Sequence, residues 1–324
     1  MGQAALKLEI PRMSLYTALR YDPTRTTGLR DTFARDIAGR FRRLRGVLRK
    51  AIVDQDCFGL KARPTGGLVF QALTPPAPLA FDFPRSADKI TAFMDWLKGQ
   101  ESLEILQVSR FPQLGIASEG AWTDLYVESA YQTGIARARD EMVAAGYPVP
   151  SLADTGGVAA AFNTSVHADR AGLIFTRVFE DLKGITAAMD TQISRVLSQG
   201  MLDGKGPAEL ARLLTRTISG PVGDLGITDT LGRFIPAERR AKMLARTEVI
   251  RAHHLATIQE YRNWGLAGVR VMAEWSTAGF NVCPECEDMA MNGPYTLDYI
   301  ESLIPLHPNC RCMALPIDVT DKEN

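Results

Sequence analysis

Apolar residues recur at three- and four-residue steps over much of the chain, the spacing that places one stripe on an α-helix. Residues 28–54 show it first, with Leu29, Phe33, Ile37, Phe41, Leu44, Leu48 and Ile52 on one face. Between 57 and 84 the pattern fails. Pro64, Gly66, Gly67, Pro75, Pro76, Pro78 and Pro84 exclude a long helix and predict an irregular connector or a small β excursion, with 68–73 as a short strand. A helix capped by Ser86 carries Ile90, Phe93, Met94 and Leu97 and ends near Gly99. The next is predicted over 119–145, with Trp122, Leu125, Tyr126, Ile135 and Met142 inward and Gly146 as its stop.

Residues 146–157 (GYPVPSLADTGG) read as a linker. A proline-free helical stretch follows over 158–199, its stripe running from Leu173 and Ile174 to Val196 and Leu197, with Gly172 and Gly184 marking bends or joins. Pro207 opens a short helix that buries Leu210, Leu213, Leu214 and Ile218. Residues 220–235 read as a loop, and Pro236 opens a last long helix to Trp264. After Gly265 the period becomes two: Val269, Val271, Ala273 and Trp275 alternate with polar neighbours, as in a strand. The tail beyond Ser276 carries little helix signal apart from 297–303. The expected fold is mainly α (α+β), with long helices, a small C-terminal β element and a zinc-ribbon-like Cys/His tail. The expected division is an N-terminal helical region, 1–150, and a second domain, 158–324, containing a Cys/His module at 276–318.

Composition narrows the class. Over 324 residues, 46% hydrophobic and 23% charged content fits a soluble globular protein rather than a disordered one. No apolar run approaches the ~18 residues of a membrane span, and MGQAALKLEIPRM does not read as a signal peptide. Lys+Arg and Asp+Glu are both 37, which argues against a uniformly basic nucleic-acid binder. The charge is nevertheless uneven. Ten basic residues lie between Arg20 and Lys50, offset only by Asp22, Asp31 and Asp36. Arg35, Arg40, Arg42, Arg43, Arg45, Arg49 and Lys50 are thus candidates for contact with DNA or an acidic protein surface, and a solvated helix face is the plain alternative.

Cysteine is uneven too. Cys57 stands alone, whereas Cys283, Cys286, Cys310 and Cys312 gather near the C-terminus with His307. Cys283-Pro284-Glu285-Cys286 and His307-Pro308-Asn309-Cys310 each hold two ligands two residues apart, with proline second. Two such chelating turns make the four-coordinate N/S set that Zn²⁺ prefers, and a four-ligand site is structural. By symmetry Cys283, Cys286, His307 and Cys310 are favoured, with Cys312 the competing fourth ligand. Buried reduced thiols and disulfides are the alternatives. A zinc deaminase needs H-x-E before P-C-x-x-C, and His253-His254-Leu255-Ala256 supplies no such glutamate. Zincin, Walker A and nucleophile-elbow motifs are absent. The two histidines are expected as a surface or packed polar feature, and Glu248 as half of an ordinary surface ion pair.

The order of C-terminal motifs resembles a known family. Ala245-Arg246-Thr247-Glu248 lies in a helix, followed by Tyr261 and Gly265. Trp275-Ser276-Thr277 then ends the strand, before Val282–Cys286, Asn292-Gly293, His307–Cys312 and Pro316. This order is similar to the phage Mu F-like head morphogenesis family, the minor head or minor capsid proteins of tailed bacteriophages, over residues 160–318. Residues 278–281 lack the Asp that often follows the strand in that family. The resemblance implies a structural, non-enzymatic head protein, incorporated in few copies inside the head after assembly in the host cytoplasm. Its partners would be the portal protein or major capsid protein, with packaged DNA as a further, non-specific candidate, and neither a membrane nor a small-molecule substrate. The competing classes are a zinc-dependent hydrolase or nuclease acting during infection, and a zinc-module DNA-binding protein.

Overall fold

A computed structural model describes residues 22–61, 79–110, 119–220, 235–265, 271–279 and 281–318. The chain is mainly helical, with a small antiparallel sheet near the C-terminus. The elements are α1 (Thr27–Arg49), α2 (Ser86–Glu104), β1 (Val108–Arg110), β2 (Glu119–Ala121), α3 (Asp124–Ala144), α4 (Gly157–Phe162), α5 (Ser165–Leu202), α6 (Pro207–Ser219), α7 (Ala237–Gly265), β3 (Val271–Ser276), α8 (Pro284–Met291), α9 (Leu297–Glu301) and β4 (Met313–Asp318).

Two compact units form, and they are not consecutive in sequence: one takes 1–29, 127–171 and 247–324, the other 30–126 and 172–246. Within the segment 146–157, Tyr147 and Val149 are buried. Gly146 does end α3 in the left-handed conformation, at φ 85°.

In the unit of 30–126 and 172–246, the predicted stripe of α1 is the buried face: Phe33, Ile37, Phe41, Leu44 and Leu48. Phe33 stacks on Tyr126 at 4.3 Å and meets Trp122 edge-on at 5.6 Å. The helix ends at Arg49 and widens into a π-helical turn, Lys50–Asp54. Arg85, not Ser86, is the N-cap of α2, and Gly99 lies within that helix rather than at its end. Glu119–Ala121 pairs with Val108–Arg110 instead of starting α3, and Leu125 is exposed. The Asp124 carboxylate accepts the Ala121 N–H at 2.8 Å, closing that turn. The 158–199 stretch is two helices interrupted at Asn163 and Thr164; Gly172 and Gly184 do not break the second, and Leu173 is exposed. The connector readings for 62–78 and 221–234 lie outside the described residues.

The unit of 1–29, 127–171 and 247–324 is organised on α7. Its pairing with α3 requires a missing side chain, since a Cβ at Gly134 would lie 2.3 Å from the His253 carbonyl oxygen. β3 pairs antiparallel with β4, an element that Pro316 hid from sequence reading, in the register Ala273↔Pro316 and Trp275↔Ala314. Ala273 directs its own N–H and carbonyl to Tyr295, at 2.9 and 2.8 Å. The Ala273–Pro316 pair is therefore a non-hydrogen-bonded one, where a residue without N–H costs the ladder nothing.

Two outcomes are expected. Gly134→Ala destabilises by about 1–3 kcal/mol through overpacking, whereas Gly184→Ala, at an exposed helical position with open space, stabilises by ~0.5–1 kcal/mol; urea denaturation separates them. His253 and His254 are both buried, and burial depresses the first to about 3 and the second to about 4. Folded, both are neutral at pH 7; unfolded, they take up protons near 6.5. Their contribution is thus complete above pH 6.5 and is lost as pH falls toward the folded values, by about 1.4 kcal/mol per unit per imidazole. Denaturation midpoints from pH 7.5 to 4.5 should show this slope, and His253→Leu should make it shallower.

Candidate metal centre

The two ligand pairs share a pattern but not a backbone. Cys283 is the N-cap of α8 and Pro284 its first residue, so Cys286 sits in the first helical turn, with its N–H donating to Cys283 Sγ at 3.4 Å. The expected simple turn is thus a helix start, whose dipole favours thiolate. The second pair is a β-turn: Cys310 N–H donates to the His307 carbonyl at 3.1 Å, and Asn309 has φ 63°. Proline followed by a left-handed Asn is the type II pattern. The Asn309 N–H donates to Thr247 Oγ1 of α7 at 3.2 Å, tying this turn to the helix that carries the Ala-Arg-Thr-Glu motif.

These supports bring all five candidate ligands together. Cys283, Cys286 and His307 form one group with ligand atoms within 4.8 Å; Cys286, Cys310 and Cys312 form another. His307 Nε2 lies 3.2 Å from Cys283 Sγ and 3.4 Å from Cys286 Sγ, and Cys286 Sγ lies 3.9 Å from Cys310 Sγ. A tetrahedral site with Zn–S near 2.3 Å has S···S edges of about 3.8 Å and S···N edges of about 3.6 Å. Each of the three separations is thus close to a single edge of such a polyhedron, while the five donors fall into two triads that share Cys286. His307 Nδ1 lies 3.0 Å from the Pro308 carbonyl, which can only accept, so Nδ1 carries the proton and Nε2 presents its lone pair to the thiols.

Cys286, Cys310 and Cys312 are buried in the same core as Trp275, Ile300, Ile304 and Ala314, while Cys283 and His307 are half-buried. A hydrogen bond from Cys312 pushes the Cys310 thiol down, and the same bond pushes Cys312 up; burial raises Cys286 to about 12. Charge therefore collects on Cys310. The neighbouring acids Glu285, Glu287 and Asp288 are exposed. The cluster could hold a metal ion. No family model matches the chain, and neither a curated protein nor a solved structure is significantly similar to it.

The basic helix divides. Arg40 lies 3.8 Å over the Trp122 ring and donates to the Glu104 carbonyl at 2.8 Å; burial lowers its pKa. Arg45 is half-buried against Ser219 and Glu238, at 2.5 and 3.9 Å. These two therefore have partners inside their own unit. Arg43 pairs with Glu104 at 2.6 Å while staying exposed, and Arg35 donates to Thr32. Arg42, Arg49 and Lys50 are exposed.

On α7 the surface expectation for Glu248 changes, and of the two readings for the histidines the packed one holds. Glu248 is buried, with Arg251 at 3.2 Å, and the two histidines are fully packed, His254 Nε2 donating to the Ile300 carbonyl at 3.1 Å. Sequence reading also missed a buried polar group of Arg139, His167 and Glu260. The only sequence signal for it is that Glu260 sits between Thr257 and Trp264 on a helical face otherwise suited to burial.

Cys286 belongs to both ligand groups, which makes it the decisive position. Reduced protein loaded with Co²⁺ should show thiolate-to-metal charge-transfer absorption. Cys286→Ser should abolish it, and Cys283→Ser should lower its intensity together with the thermal stability of the 269–318 region.

Proposed function

We propose that the chain is a structural minor head protein of a tailed bacteriophage, internal and portal-associated, whose C-terminal module is fastened by a structural Zn²⁺. The observation that carries this reading is the union of the Cys/His cluster with the Ala-Arg-Thr-Glu helix through Thr247 and Asn309. The motifs that prompted the family resemblance are thereby parts of one local structure. Three of the five donors are buried, which suits a closed, load-bearing site rather than one with an open coordination position. The ligand set that we favour is Cys283, Cys286, His307 and Cys310, resting on the 3.9 Å Cys286–Cys310 edge, with Cys312 donating to Cys310 from outside the set.

In this reading the exposed cations Arg42, Arg43 and Arg49 of α1 and the adjoining Lys50 meet packaged DNA or an acidic virion surface without sequence specificity. Each phosphate neutralised releases a counterion, so duplex binding weakens with salt at a log–log slope of about −0.9 per contact. The combined variant Arg42→Gln, Arg49→Gln, Lys50→Gln should flatten that slope at unchanged stability, because exposed substitutions cost within ~0.5 kcal/mol.

The direct test is assembly. Co-expression with the portal and major capsid proteins of the same phage should place the chain inside purified procapsids, with about one zinc per chain by metal analysis. Absence from procapsids overturns the structural role. Its presence without zinc overturns only the metal.

A further inference from the structure

The buried stripe of α2 ends in a carboxyl. Ile90, Phe93 and Leu97 are followed, one helical turn on, by Glu101, which is 3% exposed. An acid at a core position is costly unless its charge is matched or absent. Its partner is a second acid, Asp190, on α5 of the same unit. The two side chains are hydrogen-bonded to each other. Each keeps one enclosed oxygen that meets no donor, Oε1 of Glu101 and Oδ1 of Asp190.

Donor counting fixes the state of this pair. An ionised carboxylate only accepts, so two of them offer no hydrogen to the bond between them. One proton must reside on the pair. The enclosed orphan oxygens argue the same way, since neither has a donor to stabilise a full charge.

The surrounding cations supply no other solution. Lys98, on α2 itself, acts on both carboxyls, but it is 62% exposed and lies 3.4 Å from Asp95. On α1, Arg40 donates to the Glu104 carbonyl and Arg43 pairs with the Glu104 carboxylate. Lys183 of α5 and Arg212 of α6 pair with Glu180 and Glu209 of their own helices. On α7, Arg240 donates to the Ile185 carbonyl, and burial alone lowers it. Among the described residues, Lys98 is thus the one cation that acts on the pair.

We propose that Glu101 and Asp190 share one proton and form a latch between α2 and α5 that opens when alkaline pH removes it. Loss of the proton leaves two like charges in contact, one of them with no access to solvent. Burial first, then the charge of Asp190 and its hydrogen bond, pushes Glu101 up to about 9, and burial raises Asp190 as well. An unfolded glutamate titrates near 4.3. Between these values the folded chain holds a proton that the unfolded chain has released. The contribution of the pair is therefore complete below about pH 4.3 and is lost as pH rises toward 9, by about tenfold in the unfolding equilibrium per pH unit.

Urea midpoints of the full chain between about pH 6.5 and 8.5, above the titration of the buried histidines, test this. Glu101→Gln keeps an N–H for Asp190 and cannot ionise. Its unfolding constant should rise less steeply than that of the wild type, by about tenfold per pH unit, and thiol titration, common to both chains, cancels. Hydrogen exchange should show residues 97–105 of the wild type losing protection relative to the variant over the same range. The proton is also read without any substitution. At about pH 8, where Asp124, raised by burial to about 6, is ionised, the infrared spectrum of the wild type in D₂O should carry a protonated-carboxyl C=O band that disappears on further alkalisation. Equal pH slopes in the two chains, equal loss of protection over 97–105, or absence of the infrared band would each overturn the inference.

Discussion

Between Val249 and Tyr261, helix α7 has no exposed residue: Arg251 and Leu255 are half-buried and the others are buried. A helix surrounded in this way cannot follow the one-stripe rule, because every face must satisfy a neighbour. Its polar residues become fixed points. Glu260 holds Arg139 and His167, Thr257 donates to the His253 carbonyl of the preceding turn, and His254 holds the end of α9 through the Ile300 carbonyl. Gly134 lets the α3 backbone approach the same helix where any side chain would collide with the His253 carbonyl. Packing and polar matching are here one constraint, since shifting α7 by a residue would strand each of these groups in the core.

The Cys/His cluster inherits its order from that helix. An isolated loop of five soft ligands would have to pay the entropy of its own folding from metal binding alone. In this chain Cys286, Cys310 and Cys312 already lie in the apolar core, and the turn bearing His307 is hydrogen-bonded to α7. A metal would therefore tighten an arrangement that packing has largely formed, and the polarity of His307 is set by a backbone carbonyl before any ion arrives.

Legibility in the sequence followed the number of faces an element buries. The α1 stripe was visible because that helix buries one face, and Phe33 to Leu48 lie where periodicity put them. The ligand residues were visible because their identity and spacing carry the chemistry. What could not be read was environment. Nothing in the spacing of Arg40 and Arg45 separates them from Arg42 and Arg49, since the distinction depends on Trp122, Glu104, Ser219 and Glu238, distant in the chain. Glu248 looked like a surface acid because periodicity assumes a solvent side that α7 lacks there. The 284–291 helix was missed because its start is a cysteine N-cap, an uncommon use of a ligand.

Pro316 has a consequence beyond its own ladder. In a non-hydrogen-bonded antiparallel pair, the backbone groups of both residues point away from each other. The outward groups of β4 are thus those of Ala314, Pro316 and Asp318, on the side away from β3. The Ala314 carbonyl meets the buried Tyr261 hydroxyl at 3.4 Å, and Pro316 has no N–H to offer. A third strand arriving at that edge would find one acceptor taken and one donor missing, at adjacent rungs. The β4 edge is thereby a poorer template for a further strand, which works against edge-to-edge aggregation wherever many copies of the chain are made at once.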